Sequence, residues 1–219
     1  MAQSKYESKK ETTNFARIAR LILGPCTDVL RDVLKKEIRP SDLPKLVQTY
    51  LAKLPKQKKC PITKEQENLI NKANYSDFDV TLLYFLLRNI SNIPPHKNQW
   101  GNAPSPGDSS VSAKIEMIRL IRNEFGHSSE FSILDNDFQN KWQEIFDIVR
   151  NLETYVGGET ICQNAVKSIK ICSMDPDQSI KYTKELIELN KKINHISEEV
   201  EIIQKTIIPW NVKGEVENN

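Results

Sequence analysis

The stretch SDFDVTLLYFLLRNI, residues 76–90, is the most apolar part of the chain and decides its fold. Ser76 can cap a helix here, and Asp77 and Asp79 suit the positive end of the helix dipole. From residue 80 to residue 90, apolar side chains run almost all the way round the helix. Because such a helix can be buried on every side, we expect it to lie at the centre of the core.

The segments on both sides of this stretch have helical periodicity as well. Apolar side chains recur every three or four residues at 15–22, 29–34, 46–51 and 138–152. Between them there is no extended alternation of apolar and polar residues of the kind that a β-strand has. The sequence therefore predicts an all-α helical bundle.

Several residues predict where these helices begin and end. Gly24-Pro25 is expected to interrupt the first helix, and Thr27-Asp28 to cap the second. Thr63 and Gln66 match a capping box, in which each side chain binds the backbone amide of the other residue. Trp100 lies in a long connector rich in proline, glycine and asparagine. We expect this tryptophan to pack against the bundle.

Composition places the chain among soluble globular proteins. Its 219 residues are 38% hydrophobic and 27% charged, and suffice for one domain with an extension. A net charge of +2 neither requires nor excludes a polyanionic partner. No apolar run approaches the roughly 18 to 20 residues of a membrane helix, and the polar N-terminus lacks the apolar core of a signal peptide. We therefore expect a cytoplasmic protein that does not enter a membrane.

The cysteines and histidines do not form a metal-binding pattern. None of the four cysteines has the spacing of a zinc site or a redox pair, which favours reduced, partly buried thiols. The chain has three histidines, so few residues are candidates for histidine chemistry. These observations predict no metal and no cofactor.

The C-terminal part has a different periodicity. Asp175-Pro176 can start a helix, and after it apolar residues alternate by three and four, as in a coiled-coil seam. The seam consists of Leu186, Leu189, Ile193, Ile196, Val200, Ile203 and Ile207. An amphipathic helix laid back onto the bundle is the structural alternative, and the pattern leaves the number of coiled-coil strands open.

These patterns predict five regions. Residues 1–13 are a disordered N-terminus and 14–155 the helical domain. A connector at 156–174, beginning near Gly157-Gly158, leads to the coiled-coil-like helix at 175–208. A polar tail follows at 209–219.

The candidate site is Arg122-Asn123-Glu124-Phe125-Gly126-His127, at a predicted helix end. On a helical wheel, Arg122 lies only about 60° from the centre of the apolar face, where an arginine usually has a partner or a purpose. His127 points about 140° away from Arg122 if the helix continues regularly. The two side chains can therefore serve one site only if Gly126 breaks the helix or another subunit contributes. Spacing alone favours an ordinary helix C-terminus, where glycine and basic residues are common.

Arg122-Asn123 followed by His127 resembles the R-x4-6-H motif of HEPN domains, the higher eukaryote and prokaryote nucleotide-binding helical family. Other segments in residues 14–155 are similar to the HEPN-like domain of the DAZ-interacting zinc-finger ubiquitin ligases. These segments are Asn14-Phe15-Ala16-Arg17, Thr27 to Arg31, Asp79 to Leu83, Leu87-Arg88-Asn89, Pro94-Pro95, Trp100-Gly101, Asp137-Phe138 and Trp142. The chain lacks a RING-type array of cysteines and histidines, so ligase activity is not implied.

The resemblance implies a helical bundle that forms a homodimer or higher oligomer, with the motif of each subunit at a shared cleft. Many relatives are metal-independent endoribonucleases, which suggests single-stranded RNA as the partner. On this interpretation His127 is the general base or acid, Arg122 binds the phosphate, and Asn123 orients the histidine or a phosphate oxygen.

The competing hypothesis is a non-catalytic module in innate immune or ubiquitin-related signalling. Such a module would assemble protein partners through its C-terminal helix.

Overall fold

The chain folds into α-helices in a computed structural model that describes residues 9–55, 60–174 and 176–204, and this described part contains no β-strand. Side chains are described as far as Lys191, apart from that of Pro176. The helices are α1 (Lys10–Leu21), α2 (Thr27–Glu37), α3 (Leu43–Ala52), α4 (Lys64–Lys72), α5 (Val80–Asn89), α6 (Val111–Gly126), α7 (Asp135–Val156), α8 (Ile161–Ile171) and α9 (Pro176–Gln204). The predicted all-α fold is confirmed.

Helix α5 is the buried helix that the apolar stretch predicts. Its core-facing side chains are at most 2% exposed, apart from Phe85 at 8%. Asp79 caps the helix, because its carboxylate accepts hydrogen bonds from the amides of Thr81 at 3.0 Å and Leu82 at 2.8 Å. Ser76, the expected cap, lies in the preceding 3₁₀ turn instead. Helix α5 packs against α2 on one side and α6 on another.

The first two helices are joined without a break. A π-helical turn at Ile22–Cys26 carries the chain from α1 directly into α2, and Pro25, which has no amide hydrogen, lies inside it. The buried hydroxyl of Thr27 donates to the carbonyl of Ile22 at 2.8 Å. The expected interruption at Gly24-Pro25, with Thr27-Asp28 as a cap, is therefore wrong, since a widened turn accommodates the proline.

Two other expected contacts are present. Thr63 and Gln66 form the predicted capping box at the start of α4. Trp100 is half-buried and packs against the core, with its ring edge-on to that of Tyr84 at 6.1 Å between centroids. Both predictions are confirmed.

The last two helices pack onto the same core as the others. Helix α8, which lies within the expected connector, packs against α7, and Cys162, Val166 and Ile169 belong to the main hydrophobic cluster. Helix α9 packs against α1 and α6 and buries Leu186 completely. The N-terminal boundary differs too, because α1 already begins at Lys10. The described part of the bundle thus extends in both directions beyond the expected domain at 14–155.

The first half of α9 lies back on the bundle, as the structural alternative to a coiled coil requires. Leu186 is 0% exposed and Leu189 is 9% exposed. The seam residues from Ile193 to Ile203 have side chains outside the described part, and Ile207, the tail at 209–219 and residues 1–8 also lie outside it. In the described chain, no helix is long and apolar enough to cross a bilayer.

The hydrogen bond that Thr27 donates within the widened turn can be tested by substitution. Replacing Thr27 with valine keeps the shape of the side chain but removes the buried hydrogen bond to the Ile22 carbonyl. We expect the free energy of unfolding to fall by about 1 to 2 kcal/mol, measured by urea denaturation. Thr154→Val is the matched control, because the Thr154 hydroxyl also donates to a helix carbonyl, that of Arg150, but is exposed. Equal effects of the two substitutions would contradict a special role for the turn.

Candidate site at the end of helix α6

The candidate motif occupies the last turn of α6 and the residue after it. Ser110 caps the other end of this helix, since its hydroxyl accepts from the amide of Ala113 at 3.3 Å. At the C-terminal end, the amide of His127 donates to the carbonyl of Asn123 at 3.0 Å. His127, the residue after the last helical one, has φ −97° and ψ −1°, outside the usual α-helical range. The helix therefore stays regular through Gly126 and ends there.

Arg122 is buried, and two of its nitrogen atoms have no hydrogen-bond partner in the described part of the chain. Its side chain lies in the core, with a relative exposure of 2%, as its position near the apolar face predicts. Its Nε and Nη1 atoms have no hydrogen-bond partner among the described residues. Burial lowers the pKa of Arg122 to about 10, with a further contribution from the cation of Arg119 and a partial offset by Asp79 and Tyr84. A buried guanidinium without partners is energetically costly, which is unusual for a purely structural arginine.

Asn123 and His127 differ from Arg122 in their surroundings. Asn123 is partly buried, and its Oδ1 atom has no hydrogen-bond partner in the described chain. His127 is exposed. Within one chain, the arginine lies in the core and the histidine lies in solvent. The fold therefore places the three residues on one helix end without bringing their functional groups to one site.

Gly126 serves a close helix contact rather than a helix break. It does not have the positive φ of a left-handed helix cap. A Cβ atom added to Gly126 would lie 2.8 Å from both Cβ and Cγ of Asn190 on α9. Asn190 is itself 3% exposed, and its Oδ1 atom has no partner among the described residues. A break at Gly126 that turns His127 towards Arg122 is one of the two alternatives left by the sequence, and the described chain does not show it, since Arg122 is buried and His127 is exposed. The glycine instead admits α9.

A polar network lies next to Arg122 and was not predicted. Glu116 is completely buried and accepts hydrogen bonds from the Tyr84 hydroxyl at 2.8 Å and the Gly101 amide at 3.1 Å. Arg119 forms an ion pair with the same carboxylate and donates to the Gly101 carbonyl at 3.1 Å. The network ties α5 and the connector to α6. Arg119 thus has partners in this network, whereas Nε and Nη1 of Arg122 have none among the described residues.

The sequence pattern does not indicate that Glu116 and Asn190 are buried near the candidate site, and the reason differs for each. Glu116 lies on the side of α6 opposite its apolar face, where a carboxylate is normally solvated. The one signal for its burial is Trp100, because a tryptophan in a polar connector indicates that the connector covers part of the bundle. Asn190 follows the seam residue Leu189 and has no comparable signal.

The arrangement offers one unpaired cation, an amide and an exposed imidazole. A guanidinium with free donors is suited to binding a phosphate or carboxylate, and an imidazole to transferring a proton. In the described part of the chain, no group of histidine, cysteine, aspartate or glutamate side chains is arranged to hold a metal ion. The chemistry that these residues can support is acid–base catalysis beside a bound anion.

The two neighbouring arginines are expected to respond oppositely to the same substitution. Arg122→Met removes a buried cation that has no described hydrogen-bond partner at Nε and Nη1, so the free energy of unfolding should rise by about 1 to 3 kcal/mol. Arg119→Met leaves Glu116 buried without its cation, and the free energy should fall by about 3 to 5 kcal/mol. Urea denaturation followed by circular dichroism measures both. A loss of stability in both variants would show that Arg122 has a stabilising partner.

Comparison with known proteins identifies the family. The family model described as DZIP3/hRUL138-like HEPN matches residues 29–182, which is more than half of the chain and includes most of α2, all of α3 to α8 and the whole motif. Neither the curated proteins nor the solved structures contain a match. The matched region includes α8 and the beginning of α9, in agreement with their packing on the same core. The chain therefore belongs to the DZIP3/hRUL138-like HEPN family.

Proposed function

We propose that this HEPN domain binds single-stranded RNA and cleaves it without a metal ion, through Arg122, Asn123 and His127. The observation that carries the proposal is the burial of Arg122 with two unpaired nitrogen atoms. An unpaired buried cation makes folding less favourable. A bound phosphate would supply the missing hydrogen-bond acceptors. The exposed His127 lies one turn further on and supplies the proton-transfer group.

The reaction uses the RNA's own 2′-hydroxyl as the nucleophile. His127 removes the proton from this hydroxyl, the 2′-oxygen forms a bond to the adjacent phosphorus, and the bond from phosphorus to the 5′-oxygen breaks. The leaving oxygen takes up a proton, giving a 2′,3′-cyclic phosphate and a 5′-hydroxyl. Arg122 stabilises the negative charge of the phosphorane, and Asn123 orients a phosphate oxygen or the imidazole.

A second copy of the chain is part of the proposal. Because α6 stays regular through Gly126, His127 and Arg122 of one chain point in different directions. Two copies with their α6 ends facing each other would place the arginine of one beside the histidine of the other. The second histidine then donates the proton to the leaving oxygen. The free, buried thiols of Cys26 and Cys162 suit a reducing compartment, which supports a cytoplasmic location.

Cleavage of single-stranded RNA in the presence of EDTA tests the proposal. We expect slow cleavage by the unaltered protein and a loss of about 100-fold or more in His127→Ala, because the proton-transfer group is removed. Ser129→Ala is the matched control, since Ser129 is exposed in the same connection two residues later. The products should carry cyclic phosphate ends. Cleavage that persists in His127→Ala, or no cleavage by the unaltered protein, would overturn the proposal.

A non-catalytic interaction module is the second candidate function. It is favoured by the exposed apolar side chains in the connection after His127, where Phe131 is 43% and Leu134 is 65% exposed. Exposed apolar side chains that lie close together are typical of protein contact sites. For this function, Phe131→Ser with Leu134→Ser should weaken self-association or partner binding, while the unaltered protein should cleave no RNA.

A further inference from the structure

We infer that α9 is an intramolecular cover over Arg122, and that a phosphodiester reaches Arg122 only after the turn of α9 at residues 186–190 moves away. The inference rests on the proposed function in one respect, namely that the ligand is an RNA phosphate. The covering itself is argued from the contacts of α9 alone.

Two contacts place this turn of α9 over the arginine. On one side, Glu188 and Leu189 line a cleft of about 260 Å³ together with Asp79 at the start of α5. On the other side, Asn190 lies against Gly126 at the end of α6. Arg122 is buried and lies one helical turn before Gly126, on the same side of α6. These positions put the arginine beside the turn of α9 that contacts Gly126.

The polar groups under α9 are not satisfied when the helix is in place. Three buried atoms beside this contact lack hydrogen-bond partners among the described residues, namely Nε and Nη1 of Arg122 and Oδ1 of Asn190. A permanent helix contact would normally pair such groups, because each one loses its hydrogen bonds to water on burial. Separation of α9 from α6 returns these three atoms to water or to a ligand. The closed arrangement is thus opposed by its own polar groups.

Apolar and aromatic contacts hold the cover closed. Leu186 and Leu189 are buried against the bundle, and the guanidinium of Arg20 on α1 lies 5.5 Å from the ring centroid of Tyr182. These contacts favour the closed arrangement and the unpaired polar atoms oppose it, so we expect a minor open population that a substitution can enlarge.

The charges on α9 oppose RNA in the closed arrangement. Glu185 and Glu188 face the same cleft as Asp79, and the one guanidinium there, that of Arg31, already donates to the carbonyl of Phe78 at 2.8 and 3.1 Å. A phosphodiester approaching this cleft meets three carboxylates. Movement of α9 takes two of them away and uncovers a cation.

Gly126→Ala opens the cover from the α6 side. The added methyl group would meet Cβ and Cγ of Asn190 at 2.8 Å, which α9 can relieve only by moving. Gly24→Ala is the matched control, because Gly24 is also helical and a Cβ there has nothing within 4 Å. The measurement is the rate at which phenylglyoxal modifies Arg122 in the full chain, followed by mass spectrometry. We expect a rate roughly tenfold higher in Gly126→Ala, from a tenfold larger open population, and an unchanged rate in Gly24→Ala.

A second variant and an internal reference separate opening from unfolding. Leu186→Ala removes a buried side chain from α9 without adding atoms near the motif, and should also expose Arg122. The thiol of Cys162, buried at the start of α8, should keep its low reactivity in both variants if only α9 moves. An Arg122 modification rate that is the same in the unaltered protein and in both variants overturns the inference. Equal increases at Arg122 and Cys162 do so as well, because they indicate unfolding.

RNA cleavage by the same variants distinguishes failure of the cover from failure of the proposed function. If Gly126→Ala exposes Arg122 and also cleaves RNA faster, with His127→Ala in the same background removing the gain, both stand. If Arg122 becomes reactive but no RNA is cleaved, the cover stands and the proposed function fails. If Arg122 reactivity does not change, the cover fails whatever happens to RNA.

Discussion

Burial of the Glu116 carboxylate fixes how α6 is rotated about its own axis. The carboxylate lies opposite the apolar face of the helix, yet it is completely buried, because the Tyr84 hydroxyl, the Gly101 amide and Arg119 bind it. With partners on α5 and on the connector, α6 cannot turn without leaving a buried charge unpaired, which is strongly unfavourable. This rotation keeps Arg122, on the apolar face, in the core. His127 follows the last helical residue and is exposed. The burial of the arginine therefore depends in part on a residue outside the motif.

The parts of the fold that depend on local pattern were predictable. The apolar periodicity of residues 80–90 indicates a central helix, and the Thr63 and Gln66 pair indicates a helix start, because both effects act within one or two turns. The predictions that are wrong concern segments in which tertiary packing overrides a local sequence pattern. Pro25 normally ends a helix, but a widened turn and the Thr27 hydroxyl accommodate it inside a continuous one. The apolar pattern of α8 is short and irregular, which predicts a connector, and burial against α7 stabilises a helix there instead.

For the candidate site, the position of Arg122 was predictable from the sequence and the role of Gly126 was not. The helical wheel correctly places Arg122 near the core, since side-chain direction on a regular helix follows from the sequence position. The role of Gly126 was not predictable, because glycine suits both a left-handed helix end and a close contact between helices, and only the position of α9 distinguishes the two. The family model and the packing of α8 and α9 agree that the domain continues beyond α7. The motif by itself gives no indication of α9, whose Asn190 lies against Gly126.

Hydrogen bonds from α1 hold the chain segment between α8 and α9, and this restricts how far α9 can move. Arg17 on α1 donates from Nε at 3.2 Å and from Nη2 at 2.7 Å to the carbonyl of Cys172, just before α9 begins. Because this carbonyl is held to α1, a displaced α9 stays close to the surface it has left, at a high effective concentration. On the proposed function, an RNA phosphate competes with a tethered helix rather than with bulk water. On the same proposal, weak or brief encounters with RNA lose this competition, so an extended strand that makes several contacts at once has the advantage.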